Sequence, residues 1–175
     1  MQIEASKLID MPVGSIDEQS KVGTIADIVV NPDDGKLLGF IVSSGLLGFN
    51  KMTISWQDII DSDTNGLVVQ TSENLMPVAD NVRIAEVVKD EFTLDDLPVE
   101  TKSGQRLGNV YDYTVNMELG SLTKIFVRQL LPPQDRIISR SNIISISKEK
   151  IIVRNLPAKV KLKAEAAVSA MPEPA

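Results

Sequence analysis

The chain has 175 residues, a formal net charge of −6, 43% hydrophobic residues, and neither cysteine nor histidine. Those counts exclude disulfides and thiol chemistry, and they remove the commonest metal ligand and general base. No apolar run approaches the roughly 20 residues of a membrane-spanning helix, and MQIEASKLID lacks the basic start and apolar stretch of a secretory signal. The expected location is therefore the cytoplasm, without membrane insertion.

In chain order, LIDMPV (8–13) opens a series of short strands. VGTIADIVV (22–30) alternates as a half-buried strand, with Val22, Thr24, Ala26, Ile28 and Val30 on one face. NPDDGK (31–36) supplies the Pro, Asp and Gly of a reversing turn, and LLGFIVSS (37–44) completes a hairpin. The loop GLLGFNK (45–51) leads into MTIS, a polar WQD turn, and a last hairpin around Thr-Asn-Gly. Then VADNVRIAEVVKDEF (78–92) spaces Val78, Val82, Ala85, Val88 and Phe92 as an amphipathic helix, with Asp80 as candidate cap.

The second half of the chain repeats the first. LDDLPV (94–99) matches LIDMPV, and LGNVYDYTVN (107–116) matches VGTIADIVVN, placing Gly23 on Gly108 and Asp27 on Asp112 at an offset of 85. ISRSNIISIS (138–147) matches ISWQDIIDSD (54–63), and both units close on Asn-Leu and proline, NLMP and NLP. So regular an offset reads as two copies of one small domain. The predicted fold is mainly β: two tandem small β-barrels of five or six short strands, covering 1–77 and 93–157, joined by the helix at 78–92. Closing into barrels would remove exposed strand edges. The alanine-rich tail, 158–175, is expected to be a frayed helix or disordered. Each copy is expected to close on its own interior.

Several residues invite chemistry. Asp27 and Asp112 form a pair of carboxylates, but their equivalent places argue that each accepts backbone N–H bonds before its own turn. Gly23 and Gly108, inside strands, mark bulges or close backbone approach. DSDTNG (61–66) has oxygen ligands in calcium-loop spacing, yet position twelve is Ser72 and the glutamate comes one residue late, so a solvated turn is the better reading. No nucleophile–base pair, phosphate loop or metal motif occurs, so no catalytic residue, metal or cofactor is expected.

Charge and apolar loops say more. Residues 1–77 carry four lysines against eleven carboxylates, whereas 78–157 balance eleven against eleven. Lys124, Arg128, Arg136 and Arg140 are expected to line one wall, which suits either polyanion binding or docking on the acidic first copy. Few aromatics stand nearby to stack bases: Tyr111, Tyr113 and Phe126. Leu46, Leu47 and Phe49 in the first copy and Leu130 and Leu131 in the second fall at the same place in the repeat, as candidate partner-contact loops. Trp56 is replaced by Arg140, which suggests that the copies face different surroundings.

The opening Pro-Val strand, the xGxVxDxxxN strand, the turn and the apolar strand together resemble the PRC-barrel family, twice over, across residues 5–77 and 91–157. That family is named for the cytoplasmic barrel of the photosynthetic reaction-centre H subunit, and it also includes a small-subunit rRNA maturation factor. The second copy is the cleaner match, since SGQ forms the tight turn before its glycine strand, where the first has DEQSK. The resemblance implies a compact binding or scaffolding module without catalysis of its own. The expected function is thus a non-enzymatic adaptor that engages a protein partner or self-associates. The alternative is an RNA-associated factor acting through the basic face of the second copy.

Overall fold

The computed structural model describes residues 1–45 and 50–155. The chain begins with β1 (Gln2–Glu4) and a single helical turn, α1 (Ala5–Leu8). Strands β2 (Pro12–Ser15), β3 (Ser20–Val30), β4 (Leu37–Ser44) and β5 (Asn50–Ser55) come next. A 3-10 turn at Trp56–Asp58 precedes β6 (Ile59–Asp63), β7 (Gly66–Val69) and the two-residue β8 (Met76–Pro77). After helix α2 (Val82–Lys89) come β9 (Pro98–Thr101), β10 (Arg106–Asn116), β11 (Ser121–Gln129) and β12 (Gln134–Ser139). A further 3-10 turn at Arg140–Asn142 leads to β13 (Ile143–Ile146) and β14 (Ile151–Val153).

These strands form two open seven-stranded sheets, one ordered β6-β7-β2-β3-β4-β5-β8, the other β12-β11-β10-β9-β14-β13 with β1 added to β10. Apart from β1 and β8 the two orders are the same. Each contains one parallel pair, β2 with β7 and β9 with β14. Each long strand carries register shifts at equivalent places, Ile25/Asp27 and Val29/Val30 in β3, Val110/Asp112 and Thr114/Val115 in β10. Such bulges bend a strand and increase its twist.

The turn before β3 forms without glycine. Gln19 takes the positive φ (49°) that Gly104 takes (85°) in the second half. Glu18 secures this turn: its carboxylate accepts from the hydroxyls of Ser15 and Ser72 and, at 3.0 Å, from the Ser72 amide. The Ser15 hydroxyl bond, followed by the Ser72 bonds, holds the Glu18 carboxyl down at about 2. Its contribution to folding is therefore complete above the ordinary carboxylate range and disappears as pH falls towards that value.

The halves meet at their hairpin tips. Leu37 N donates to Gly120 O (2.9 Å) and Leu122 N donates to Gly35 O (2.8 Å), two bonds related by the same offset of 85. Lys36 and Ser121 pair between them as an antiparallel bridge. The exchange is reciprocal, as in a two-fold symmetric dimer, but within one chain. Trp56 and Arg140 reinforce it: Trp56 Nε1 donates to Met117 O (2.8 Å) and Arg140 Nη2 to Asp34 O (3.0 Å). Each lies against the glycine of the opposite tip, so that a Cβ on Gly120 would come within 2.6 Å of the Trp56 ring and one on Gly35 within 2.8 Å of Arg140 Nε. The two side chains occupy matching places and reach across in opposite directions.

The interior is shared as well. Buried residues of both sheets, among them Val13, Leu37, Phe40, Val99, Leu122 and Ile125, belong to one connected apolar cluster. This overturns the expectation of separate interiors; units of 70–80 residues bury too little surface alone, and merging the two increases the buried share. Strand β1 strengthens the join, because it is continuous with the first half in sequence yet pairs with β10, Ile3 opposite Val115.

The connecting helix is shorter than the apolar spacing suggests. It starts at Val82, capped by the Asn81 side chain, which accepts from Ile84 N at 3.2 Å, and not by Asp80. Its buried face carries Ile84 and Val87, packed with Val78 on Val29 and Ile41, while Val82 and Val88 face solvent. Gly39 leaves room for this packing: a Cβ there would lie 2.0 Å from Ile54 O and 2.9 Å from Ile84 Cδ1.

Replacing Gly120 (φ 57°) by alanine is expected to cost about 2–3 kcal/mol, from positive-φ strain plus the clash with Trp56. Chemical denaturation should show roughly 1 kcal/mol less cost in a Trp56→Ala background. Equal costs in both backgrounds would remove the Trp56–Gly120 contact from the account.

Candidate functional site

Asp27 and Asp112 each accept the amide of the following residue, Ile28 at 2.7 Å and Tyr113 at 2.8 Å. Asp112 does more than serve its own half, since its carboxylate also takes Ser6 Oγ (2.6 Å) and Ser6 N (3.2 Å) from α1. Gly23 and Gly108 sit where a side chain has no room: a Cβ would lie 2.3 Å from Val42 Cγ1 in one case and 2.2 Å from Arg128 O in the other. Asp95 shares the field of both aspartates. Partial burial, then the charges of Asp27 and Asp112, raise its carboxyl above the usual range. Burial likewise raises the Tyr113 hydroxyl, with Asp95, Asp27 and Asp112 adding to it. Among the described residues no group of three or more aspartate or glutamate side chains is arranged to hold a metal ion. In DSDTNG, Asp63 Oδ1 accepts the amides of Asn65 (2.7 Å) and Gly66 (3.1 Å), which uses the carboxylate to make the hairpin turn.

The four basic candidates do not share one wall. In the β11–β12 ladder Arg128 faces Asp135 and Lys124 faces Ser139 on the outer surface, but Arg136 is opposite the buried Val127 on the inner one. Arg128 binds Asp135 through both Nε (3.0 Å) and Nη2 (3.1 Å), and this pairing holds the Asp135 carboxyl below its usual range. Arg136 is taken up by Leu107 O (2.8 Å) and Gln129 Oε1 (3.0 Å), and Arg140 by Ile143 O and the opposite tip. Alternation along the strands separates Arg136 from its neighbours, and a long-range carbonyl claims Arg140. Docking of this set on the acidic half therefore reduces to Arg140.

A different set does converge. Along the outer surface of β10 and β11, Tyr111 and Phe126 stand 6.0 Å apart, and Arg128 lies over the Tyr111 ring at 4.1 Å. Beyond them the chain turns through Leu130 and Leu131, 76% and 87% exposed, so that nearly all of both side chains is available for contact. Tyr111, Arg128, Leu130 and Leu131, with Arg106, Asn109 and Asp96, line a groove of about 560 Å³. Its polar wall is fixed by bonds from Arg106 Nη2 to Asn109 Oδ1 (3.2 Å) and from Asn109 Nδ2 to Asp96 O (2.8 Å). Gly108 (φ 128°) forms the groove floor by letting β10 approach β11. Sequence reasoning marks Leu130, Leu131 and Arg128; it misses that Tyr111 stacks under Arg128, although their positions on paired strands carry the signal. Leu46, Leu47 and Phe49 lie outside the described residues. A groove of this composition offers stacking, apolar contact and a paired guanidinium, the side chains enriched at protein interfaces.

Comparison with known families adds one result: residues 1–76 match the PRC-barrel domain. No match to the chain emerges among curated proteins. Among the described residues no helix is long and apolar enough to cross a membrane.

Neutralising the raised carboxyl should stabilise the fold. Asp95→Asn is expected to raise Tm at pH 7 by about 1–3 °C, a gain that shrinks towards zero below about pH 4, where the native aspartate is already protonated. Thermal unfolding across that range checks it; a gain independent of pH would contradict the crowding of these carboxylates.

Proposed function

We propose that the chain is a non-catalytic binding module built from two fused PRC-barrel-type units, and that it presents the groove at Tyr111, Arg128, Leu130 and Leu131 to a protein partner. The observation that carries this reading is the pair of nearly fully exposed leucines beside an Arg–Tyr stack. Exposed apolar side chains next to aromatic and arginine anchors are what a partner's side chains can desolvate with a gain in affinity. The match to the PRC-barrel domain supports a module without chemistry of its own, and the first half then contributes chiefly the platform that holds the second. The equal strand orders support reading the second half as the same unit.

The dispersal of Lys124, Arg128, Arg136 and Arg140 weighs against the RNA reading, which needs several free cations on one wall.

Leu130→Asp with Leu131→Asp is expected to leave stability within about 0.5 kcal/mol, because both side chains are exposed, while reducing capture of the partner at least about tenfold. Quantitative comparison of captured proteins between native and variant chains checks this, and an unchanged profile would contradict it. Fluorescence anisotropy with RNA at low salt should show no binding. Binding that weakens steeply with added salt and falls with Lys124→Ala would instead establish the polyanion reading.

A further inference from the structure

Among the described residues, one face of the second sheet lacks the cover that its counterpart has. On the first sheet Ile41 and Thr53, on the outer surface of β4 and β5, are 6% and 0% exposed. Two pieces cover them. Strand β8 pairs with the free edge of β5, Thr53 opposite Met76, and Thr53 Oγ1 donates to Met76 O at 3.2 Å. Helix α2 then lies over Val29 and Ile41. Both pieces come from the stretch directly after β7.

At the equivalent positions of the second sheet stand Phe126 on β11 and Ile137 on β12. Phe126 is only half-buried, with Tyr111 exposed beside it, and Ile137 is 49% exposed where Thr53 is sealed. Among the described residues β12 pairs with β11 alone, so its outer edge has no strand where β5 has β8. An open strand edge next to exposed Ile137 and half-buried Phe126 is costly to leave in water.

We propose that residues 156–175 of this chain cover this face, as the stretch after β7 covers the first. The length suits the task. The first cover uses the twenty residues from Gln70 to Lys89, and at least twenty-two come after Val153. The composition suits it too. Both stretches pass through Asn-Leu and a proline, and the tail then places Val160, Ala164, Ala167, Val168 and Met171 at the three- and four-residue intervals of one helical stripe. Small alanines replace the larger Ile84 and Val87 of α2, and Lys124 and Phe126 replace Gly39 and Ile41 beneath. A slimmer cover therefore meets a bulkier floor. This inference concerns Phe126, Ile137 and the β12 edge, none of which lines the neighbouring groove, and it stands whether or not that groove takes a partner.

The absence of cysteine makes the test direct. Ile137→Cys puts a single thiol on the proposed contact at a position where the described fold tolerates change. In the purified full chain, thiol labelling is expected to be about tenfold slower than in the same chain carrying Val160→Asp, Val168→Asp and Met171→Asp, the factor for a cover closed nine-tenths of the time. The slow rate should not depend on protein concentration. Equal rates in the two chains would overturn the proposal. So would protection that grows with concentration and survives the tail substitutions, which would assign the face to a second copy.

Discussion

The reciprocal exchange of backbone hydrogen bonds between the two hairpin tips is the constraint on which the rest depends. Leu37 with Gly120 and Leu122 with Gly35 place a local two-fold relation inside a single chain. That relation fixes which parts of each half face inward. It explains why both tips need a glycine at matching positions, since Trp56 and Arg140 occupy the space where a Cβ would stand. It also brings the apolar strands of both sheets into one cluster. The hydrogen bonds contribute about 1 kcal/mol each at most, so the merged apolar interior, not the bonds, supplies most of the stabilisation. The bonds specify the geometry in which that merger occurs.

Departures from the two-fold relation are where the halves acquire distinct roles. Residues 2–4 add a strand to β10, whereas residues 88–90, equivalent at an offset of 86, belong to the end of α2 and the turn after it. Gly39 admits Ile84, but its counterpart is Lys124. Among the described residues, the chain immediately after the first sheet covers Ile41 and Thr53, whereas no such piece lies over Phe126 and Ile137 of the second.

Much of the architecture is legible in the sequence because the signals are local. Alternation, turn residues and the offset of 85 locate the long hairpins and the matching order of strands. The reach of Trp56 and Arg140 is not legible, since their partners lie 61 and 106 residues away and backbone carbonyls leave no mark in side-chain spacing. The basic wall fails for a related reason: proximity in sequence ignores the pleat, which turns Arg136 inward and Arg128 outward. Helix α2 is legible but misaligned, because Asn81 rather than Asp80 sets its start and Ile84 and Val87, not Val82 and Val88, pack on the sheet. For the groove, Leu130 and Leu131 are visible as an apolar loop, whereas the Tyr111–Arg128 stack requires the register of β10 against β11.

Calorimetry of the full chain tests the central claim most directly. If the two halves share one interior, they unfold together. One transition is expected, with calorimetric and van't Hoff enthalpies equal and on the order of 100 kcal/mol. Two transitions, or a van't Hoff enthalpy near half the calorimetric value, would mean that each half folds around an interior of its own and would contradict the account.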